Sequence, residues 1–134
     1  MKKTTLAATS VLAFVFGASF VQAESHGNAF VHSRTNNGQF YTMYQDHMSL
    51  YVYENDTAGN SSCYGECAEN WPPALLPAGT VLGENYSLIQ RDDGTFQAAY
   101  KDQPLYLSVL DNKIGDTNGD GVDNNWFLAR PDLM

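Results

Sequence analysis

The segment LYVYEND, residues 50–56, recurs 55 positions later as LYLSVLD, residues 105–111. The same spacing relates the pair Asn70-Trp71 to the pair Asn125-Trp126. Chance seldom preserves so many aromatic and acidic positions in order, so the pattern indicates an internal duplication. Residues shared by both copies are expected to hold the repeat together, whereas residues found in one copy are better candidates for function.

The flanks of this segment follow the same duplication once a single residue is inserted. At a spacing of 56, Gly38, Phe40, Tyr44 and Asp46 recur as Gly94, Phe96, Tyr100 and Asp102. We therefore predict an all-β fold in which two tandem β-meander repeats form one compact domain with a pseudo-twofold relation. Repeat one covers about residues 30–73, a connector about 74–85, and repeat two about 86–131.

Short aromatic and β-branched runs alternate with Gly, Asn and Asp clusters from residue 29 onward, as in short strands joined by tight turns. Asn36-Asn37-Gly38 and Asp92-Asp93-Gly94 supply turn residues that can adopt positive φ. Tyr64–Asn70 is compatible with a helical turn or two. The predicted strands are Phe30–Ser33, Gln39–Tyr44, Ser49–Glu54, Tyr86–Gln90, Thr95–Tyr100, Leu105–Val109 and Trp126–Ala129.

Residues 1–23 have the pattern of a secretory signal peptide. Lys2 and Lys3 form a basic start, residues 6–20 are largely apolar, and Val21-Gln22-Ala23 supplies a small-residue cleavage site. The apolar run is too short to span a bilayer comfortably, and no cysteine follows the cleavage site to accept a lipid. We expect a periplasmic or secreted protein without a stable membrane anchor, soluble after cleavage near Ala23, whose residues 24–134 form a single β domain.

The charge balance narrows the classes of partner. Lys2 and Lys3 would leave with the signal peptide, so the remaining five basic and fifteen acidic residues give a net charge of −10. This charge opposes binding to nucleic acid and favours cations or basic partners. The chain also carries eight Tyr, seven Phe and two Trp, enough core material to fold without a cofactor. Tyrosines pack a ring while keeping the hydroxyl near water or a partner.

Cys63 and Cys67 are the two cysteines of the chain. In an oxidising compartment two nearby thiols most simply form a disulfide. The enclosed loop is so short that the gain in chain entropy is at most about 2 kcal/mol. The expected role of the disulfide is therefore local, shaping one excursion between strands.

The second copy contains an alternative, calcium-like pattern in the equivalent excursion. Residues 116–121, Asp-x-Asn-x-Asp-Gly, match the opening of a calcium-binding loop. The match fails at the twelfth position, where Phe127 replaces a bidentate acid, although Asp111 or Asp123 could substitute. Asp, Asn and Gly also suit any tight turn. Turn chemistry and calcium binding therefore both stay open, with these candidate ligands: Asp116, Asn118, Asp120 and Asp123.

The two cysteines allow a copper or thiol site as well as a disulfide. Cu(I) prefers soft ligands, and the candidate set in this repeat is Cys63, Cys67, Met43, His47 and Met48. Against this hypothesis, Cys-x3-Cys is one residue longer than the Cys-x-x-Cys of thiol oxidoreductases, and no helix obviously begins at Cys63. A structural disulfide with a surface histidine and core methionines is the alternative.

No catalytic constellation is recognisable. His26 and His32 lie near the expected mature terminus and His47 lies in a predicted turn, and none belongs to a known nucleophile pattern. The chain has no Gly-x-Ser-x-Gly or Gly-rich phosphate loop, and its carboxylates are spread through turns. We therefore expect a protein that is not an enzyme.

The positions shared by the two copies are interpreted as structural. Asp56 and Asp111 follow a tyrosine at the same spacing, so each carboxylate is expected to accept N–H bonds from the turn that leaves its strand. The two tryptophans are expected to close each repeat by packing on the sheet. The structural motif consists of Tyr51, Tyr53, Asp56, Trp71, Tyr106, Asp111 and Trp126.

Three motifs of the first copy carry a family resemblance: Tyr51-Val-Tyr53-Glu-Asn-Asp56, Ser62-Cys63-Tyr64-Gly65-Glu-Cys67-Ala68 and Asn70-Trp71-Pro72-Pro73. They closely resemble the bacterial family called secreted repeat of unknown function, often described as lipoproteins with a Tyr-x-[Phe/Trp/Tyr]-x-x-Asp motif. Residues 94–126 look like the second half of that family. The resemblance implies secretion, a two-copy β-rich unit and no established activity, and it supplies no catalytic residues.

The chain departs from the family pattern in two places. It lacks the lipid-accepting cysteine of lipoprotein members, and Ser108 occupies the aromatic position of the motif in the second copy. The packing of the second copy must therefore differ from that of the first.

Two functional hypotheses from different classes follow. The first is a non-enzymatic envelope module that binds an unknown envelope protein or ligand through Tyr-rich and acidic surfaces, with no cofactor required and calcium as an option. The second is a periplasmic metal-handling or thiol-redox accessory that uses Cys63 and Cys67.

Overall fold

The computed structural model describes residues 30–134, and the predicted signal peptide and its cleavage site lie outside the described residues. Short strands dominate the described part, in agreement with the predicted all-β class. The strands are β1 Val31–Asn36, β2 Gln39–Tyr44, β3 Tyr51–Tyr53, β4 Tyr86–Gln90, β5 Phe96–Tyr100, β6 Gln103–Pro104 and β7 Trp126–Leu128. The helices are α1 Glu66–Asn70 and a 3₁₀ helix at Val122–Asn124.

Each copy begins with an antiparallel hairpin, β1–β2 in the first and β4–β5 in the second. The first hairpin turns at Asn37 (φ 49°) and Gly38 (φ 80°), because Asn and Gly tolerate the left-handed backbone of a tight turn. At the far end of the hairpins, the pairs Val31↔Tyr44 and Tyr86↔Tyr100 occupy equivalent positions. The hairpins therefore follow the duplication that the sequence predicts.

The third strand of the first copy pairs with the second copy. Strand β3 lies antiparallel to β7, with Tyr53 opposite Trp126. Tyr51 and Tyr106, which occupy the same position in the two copies, donate backbone N–H bonds to each other's carbonyls at 2.8 and 2.9 Å. Tyr106 also forms an isolated bridge with Pro73, while Tyr51 pairs with Leu128, which lies 55 residues after Pro73.

Further backbone hydrogen bonds repeat across the two copies in reciprocal pairs. Each donor–acceptor pair in one copy has a counterpart 55 or 56 residues away, as a pseudo-twofold axis between the copies requires. These pairs are Ala74 N to Leu105 O (3.0 Å) with Ala129 N to Leu50 O (2.8 Å), and Ala98 N to Ala74 O (2.8 Å) with Thr42 N to Ala129 O (2.8 Å).

Both buried clusters draw residues from both copies. One is mainly aliphatic and contains Val31, Leu50, Ala74, Leu76, Ala98, Tyr100, Leu105 and Ala129. The other is mainly aromatic and contains Tyr41, Met43, Tyr51, Cys63, Trp71, Tyr106, Trp126 and Leu128. Because each cluster needs both halves of the chain, the two copies form one folding unit.

Three predicted elements differ most from the structure, and the strand predicted at Phe30–Ser33 instead runs over Val31–Asn36 as β1. The strand predicted at Leu105–Val109 is absent: β6 ends at Pro104, and Tyr106 forms isolated bridges instead of a continuous ladder. The predicted strand Ser49–Glu54 shortens to β3, because Leu50 lies outside the β3–β7 ladder: its N–H donates to the carbonyl of Thr42 in β2, and its carbonyl accepts the N–H of Ala129. The predicted connector 74–85 is partly structural, since Leu75 bridges Gln97.

Within residues 30–134, no helix has the length and apolarity that a membrane crossing requires.

Candidate functional site

The two tryptophans meet face to face. Trp71 follows the last residue of α1 and Trp126 begins β7, and their ring centroids lie 4.0 Å apart with planes at 3°. Tyr53 stacks on Trp126 with its centroid at 4.2 Å. Trp71 is 7% exposed and Trp126 is 4% exposed. The aromatic stack therefore lies mostly in the core and presents narrow edges to the surface.

A disulfide between Cys63 and Cys67 holds the loop that places Trp71, with an S–S distance of 2.07 Å. Cys67 lies in α1, and its carbonyl accepts the backbone N–H of Trp71 at 2.8 Å. Cys63 is fully buried in the aromatic cluster. The predicted disulfide is thus confirmed, and it connects the start of the excursion to the residue that positions the indole.

Ser62 and Asn118 each donate their backbone N–H to the capping aspartate of their own copy, so the residues that follow them, Cys63 and Gly119, occupy equivalent positions. A Cβ on Gly119 would lie 2.8 Å from Cζ3 and Cη2 of Trp71 and 2.9 Å from Cε1 of Tyr51. The backbone therefore approaches the aromatic stack so closely that only glycine fits there without displacement. The two copies hold their tryptophans by different means, a disulfide on one side and a close backbone contact on the other.

A groove of about 450 Å³ opens beside the stacked indoles. Its apolar wall includes Val109 and Leu110, which are 51% and 45% exposed. Its acids are Glu66 on α1 and Asp123 in the 3₁₀ helix. The lining residues are Glu66, Cys67, Asn70, Trp71, Val109, Leu110, Val122, Asp123 and Trp126. The sequence did not predict this groove, because Val109 was assigned to the end of a predicted strand and no role was assigned to Leu110.

Two buried tyrosines exchange hydrogen bonds between the copies. Tyr51 of the first copy donates its hydroxyl to Asp111 of the second at 2.6 Å, and Tyr106 donates to Asp56 at 2.6 Å. Burial raises the pKa of Tyr51 and of Tyr106 above the ordinary tyrosine value, and the adjacent carboxylate raises each further. Both hydroxyls therefore stay protonated donors through the neutral range.

The same two carboxylates cap the turns that leave their strands. Oδ1 of Asp56 accepts the backbone N–H of Ser62 at 2.8 Å, and Oδ1 of Asp111 accepts that of Asn118 at 2.9 Å. This is the turn-capping role expected of both residues from their shared spacing. Each aspartate thereby joins a turn of its own copy to a tyrosine of the other.

Arg91 is a buried residue that sequence reasoning missed. It is 4% exposed, and its guanidinium donates to Ser61 Oγ (2.6 Å), Gln97 Oε1 (2.7 Å) and the carbonyl of Cys63 (2.7 Å). The ring of Tyr64 lies 4.2 Å from its Cζ atom. Arg91 thus ties the disulfide loop to the second hairpin. Arginine is seldom buried. Arg91 directly precedes the turn Asp92-Asp93-Gly94, and nothing in this local sequence indicates that its side chain is buried.

Two of the predicted calcium ligands are engaged by the protein itself. Oδ2 of Asp116 accepts the backbone N–H groups of residues 112–113 at 2.9 and 3.2 Å. Asp120 accepts the N–H of Leu128 at 2.9 Å and forms an ion pair with Arg130 at 3.1 Å. Asp116 therefore caps a turn, and Asp120 caps the end of strand β7.

The other two predicted calcium ligands, Asn118 and Asp123, lie in different surroundings. The side-chain amide of Asn118 donates to the carbonyl of Leu110 at 3.1 Å, and Asp123 is exposed beside the groove. In the described range 30–134, no three His, Cys, Asp or Glu side chains converge in a group that could hold a metal ion. Calcium binding stays a prediction, and a melting-temperature measurement at millimolar calcium tests it.

The predicted copper ligands differ in burial and in chemical state. The sulfurs of Cys63 and Cys67 are bonded to each other and so are not thiolates. Met43 is 1% exposed in the aromatic cluster, while Met48 is half-buried and His47 is exposed. Of the five predicted copper ligands, Cys63 and Cys67 are bonded to each other as a disulfide.

The expected Tyr-rich surface is corrected by the structure. Four of the eight tyrosines, Tyr41, Tyr51, Tyr100 and Tyr106, are buried, and the other four are half-buried. Tyr51 and Tyr106 are the two buried tyrosines whose hydroxyls donate to carboxylates, those of Asp111 and Asp56. The solvent-exposed apolar groups near the groove are aliphatic instead.

The fold and the site define a class of protein: an all-β, internally duplicated chain whose copies exchange strands and Tyr–Asp hydrogen bonds around a tryptophan pair. The sequence profile of the family described as secreted repeat of unknown function matches residues 41–75 and 87–130. The chain belongs to this family, and the two matches correspond to the two copies. A search of curated proteins and a search of solved structures found no match to the chain.

Proposed function

We propose that this protein is a non-enzymatic module, exported to the periplasm or beyond and cleaved near Ala23, that binds a basic segment of a partner protein in the groove beside Trp71 and Trp126. The observation that carries the proposal is the groove itself, a concavity of about 450 Å³ that combines exposed aliphatic residues, indole edges and two carboxylates. Concave apolar sites with a few polar groups are the usual form of binding sites in proteins.

The charge of the groove favours a cationic occupant. Of the nine residues that line it, two are acids and none is Lys or Arg. The whole chain carries a formal net charge of −8, so the field at the groove attracts basic groups from a distance. Val109 and Leu110 offer apolar contacts to the methylene stems of lysine or arginine.

The absence of an enzymatic role is supported by where the perturbed groups lie. Tyr51 and Tyr106, whose pKa values burial raises most, are fully buried and donate to aspartates that cap turns. Neither lines the groove. Active sites usually place groups with strongly shifted pKa values in a cleft. Here these tyrosines instead form hydrogen bonds that join the two copies.

Peptide binding followed by tryptophan fluorescence tests the proposal, since both tryptophans of the chain line the groove. The probe is a synthetic five-residue peptide that alternates lysine and leucine, compared with one in which glutamate replaces lysine. The lysine peptide should give a saturable change that weakens with salt, and the glutamate peptide should give none.

Charge-neutralising variants locate the site. Glu66→Gln and Asp123→Asn should each weaken the affinity for the lysine peptide by about two- to fivefold, because exposed ion pairs are individually weak. Glu69→Gln is the matched control, since Glu69 lies exposed on the same helix and does not line the groove. An equal response to both peptides, or no response to the lysine peptide, or variants that bind like the original chain, would each overturn the proposal.

A further inference from the structure

Two histidines face each other across the open end of the first hairpin. His32 lies on β1 and His47 lies in the turn between β2 and β3. Nδ1 of His47 and Nε2 of His32 are 3.2 Å apart, and the rings meet edge to face with centroids 5.0 Å apart. The pair shares no residue with the groove beside the tryptophans, so it is a separate feature of the surface.

The distance between these two nitrogens matches the separation of two imidazole ligands bound to one metal ion. Metal–imidazole bonds of about 2.0–2.1 Å at angles between square and tetrahedral place two ligand nitrogens about 2.8–3.4 Å apart. The observed 3.2 Å falls within this interval. Two imidazoles held at this separation would bind an ion with little further ordering of either side chain, so less conformational entropy is lost on binding.

His47 lies in a turn whose backbone conformation both copies share. Its φ of 65° lies in the left-handed region, in which histidine, asparagine and aspartate are enriched among the residues other than glycine. In the second copy the corresponding turn places Lys101 (φ 45°) and Asp102 (φ 65°) in this region, and it contains no histidine. The left-handed turn therefore belongs to the scaffold of both copies, whereas the imidazole that it carries is found in the first copy alone.

Both histidines belong to one copy alone. The hairpin registers place Val31 opposite Tyr44 and Tyr86 opposite Tyr100, so the next residue, His32, corresponds to Ser87. The second copy contains no histidine. The scaffold that both copies share therefore does not require the pair.

We infer that His32 and His47 form a binding site for a divalent transition-metal ion, with Cu²⁺ preferred over Zn²⁺. Imidazole nitrogens suit both ions, and at a site of fixed ligands Cu²⁺ binds more tightly. In an oxidising compartment copper is available as Cu²⁺. His47 is exposed, so water can complete the coordination. Of the residues proposed from sequence as copper ligands, this site uses His47, without the cysteines or methionines.

The competing explanation is a hydrogen bond between the rings, in which one nitrogen donates and the other accepts. The two explanations differ in stoichiometry and in spectrum. A metal site takes up one equivalent of Cu²⁺ and gives an electron paramagnetic resonance signal with nitrogen hyperfine structure. A hydrogen-bonded pair with no metal affinity gives the signal of free Cu²⁺.

The experiment is a titration of the exported chain carrying His26→Ala with Cu²⁺ alone, measured by calorimetry and electron paramagnetic resonance, and repeated with Zn²⁺. One equivalent of Cu²⁺ should bind, and Zn²⁺ should bind more weakly. The affinity for Cu²⁺ should fall as pH is lowered, because protons compete for the imidazole nitrogens. His32→Asn and His47→Asn should each weaken Cu²⁺ binding by at least about tenfold, since each leaves one ligand of a chelating pair.

His26→Ala is present in every chain titrated, because cleavage after Ala23 places His26 third from a free amino terminus, where the amine, backbone amides and imidazole together chelate Cu²⁺. Asparagine at position 47 tolerates the left-handed backbone, so circular dichroism should show both Asn variants folded. Copper binding that survives both substitutions, or that is absent from the chain carrying His26→Ala alone, would overturn the assignment. Failure of peptide binding in the groove leaves this inference intact, because the two sites share no residue.

Discussion

The indole rings of Trp71 and Trp126 stack with their centroids 4.0 Å apart and their planes 3° from parallel, although 55 residues of chain separate them. Each indole also meets the tyrosine of its own copy edge to face: Trp71 with Tyr51 at 5.5 Å and Trp126 with Tyr106 at 5.1 Å. The contacts around one tryptophan thus repeat around the other. Neither copy can bury its tryptophan alone, so duplication has produced one interdependent core.

Removal of one indole should destabilise the whole domain. Trp126→Ala removes the ring that lies between Tyr53 and Trp71, and truncation of a buried Trp costs about 3–5 kcal/mol. Urea unfolding, followed by circular dichroism, should give one cooperative transition with a lower midpoint. Phe40→Ala is the control, because Phe40 is 40% exposed and its loss should cost much less. Two separate transitions would contradict the interdependence of the copies.

The contact between Gly119 and the indole stack makes a second prediction. Gly119→Ala places a Cβ 2.8 Å from ring carbons of Trp71, and overpacking of this kind costs about 1–3 kcal/mol. Gly83→Ala is a matched control, since its Cβ would meet nothing within 4 Å. Thermal unfolding of the two variants should show a lower melting temperature for the first alone. Equal melting temperatures would show that the loop relaxes away from the stack.

The sequence predicted the duplication because the shared residues are the ones that pack on the axis. The hairpin turn at Asn37 and Gly38 was also predictable, since left-handed backbone selects these residue types. The pairing of β3 of the first copy with β7 of the second copy was not predictable from the sequence. Alternation of apolar residues indicates that Tyr51–Tyr53 is a strand, but it carries no information on whether its partner lies in the same copy or in the other.

The candidate site was harder to predict than the fold. The pair Tyr51–Asp111 joins residues of different copies, so sequence spacing within one copy could show the capping role of the aspartate but not its tyrosine partner. The groove depends on how the 3₁₀ helix and α1 lie against the indoles, which is a tertiary property. His32 and His47 are 15 residues apart in the chain, and only the hairpin brings them together.

The disulfide separates the proposed binding module from a thiol-redox accessory. Cys63 is fully buried and Cys67 is half-buried, so we expect a disulfide that resists mild reductants and thiol reagents. Thiol titration of protein isolated from the exported fraction should find no free thiol before unfolding and two after unfolding in reductant. Rapid reduction of the folded protein would favour the accessory instead.

The buried tyrosines predict a loss of stability in alkali. Burial, reinforced by the carboxylates of Asp111 and Asp56, raises the pKa of Tyr51 and of Tyr106 in the folded state. Above about pH 10 the unfolded chain releases both phenolic protons while the native chain keeps them. The unfolded state then binds fewer protons, so the free energy of unfolding falls as pH rises, by about 1.4 kcal/mol per pH unit for each tyrosine. Below pH 10 both states are protonated and the contribution is fully present.

Tyr106→Phe isolates one of these contributions. The variant should lose about 1–3 kcal/mol at pH 7, because Oδ2 of Asp56 loses its hydroxyl donor. Urea unfolding as a function of pH should show wild type and variant running parallel between pH 7 and 9. Above pH 10 the free energy of unfolding of the variant should fall less steeply than that of the wild type. The slopes should differ by about 1.4 kcal/mol per pH unit, which corresponds to one proton, so that the two curves converge. Curves that stay parallel to pH 12 would mean that Tyr106 ionises alike in both states and that its hydrogen bond to Asp56 does not hold the proton.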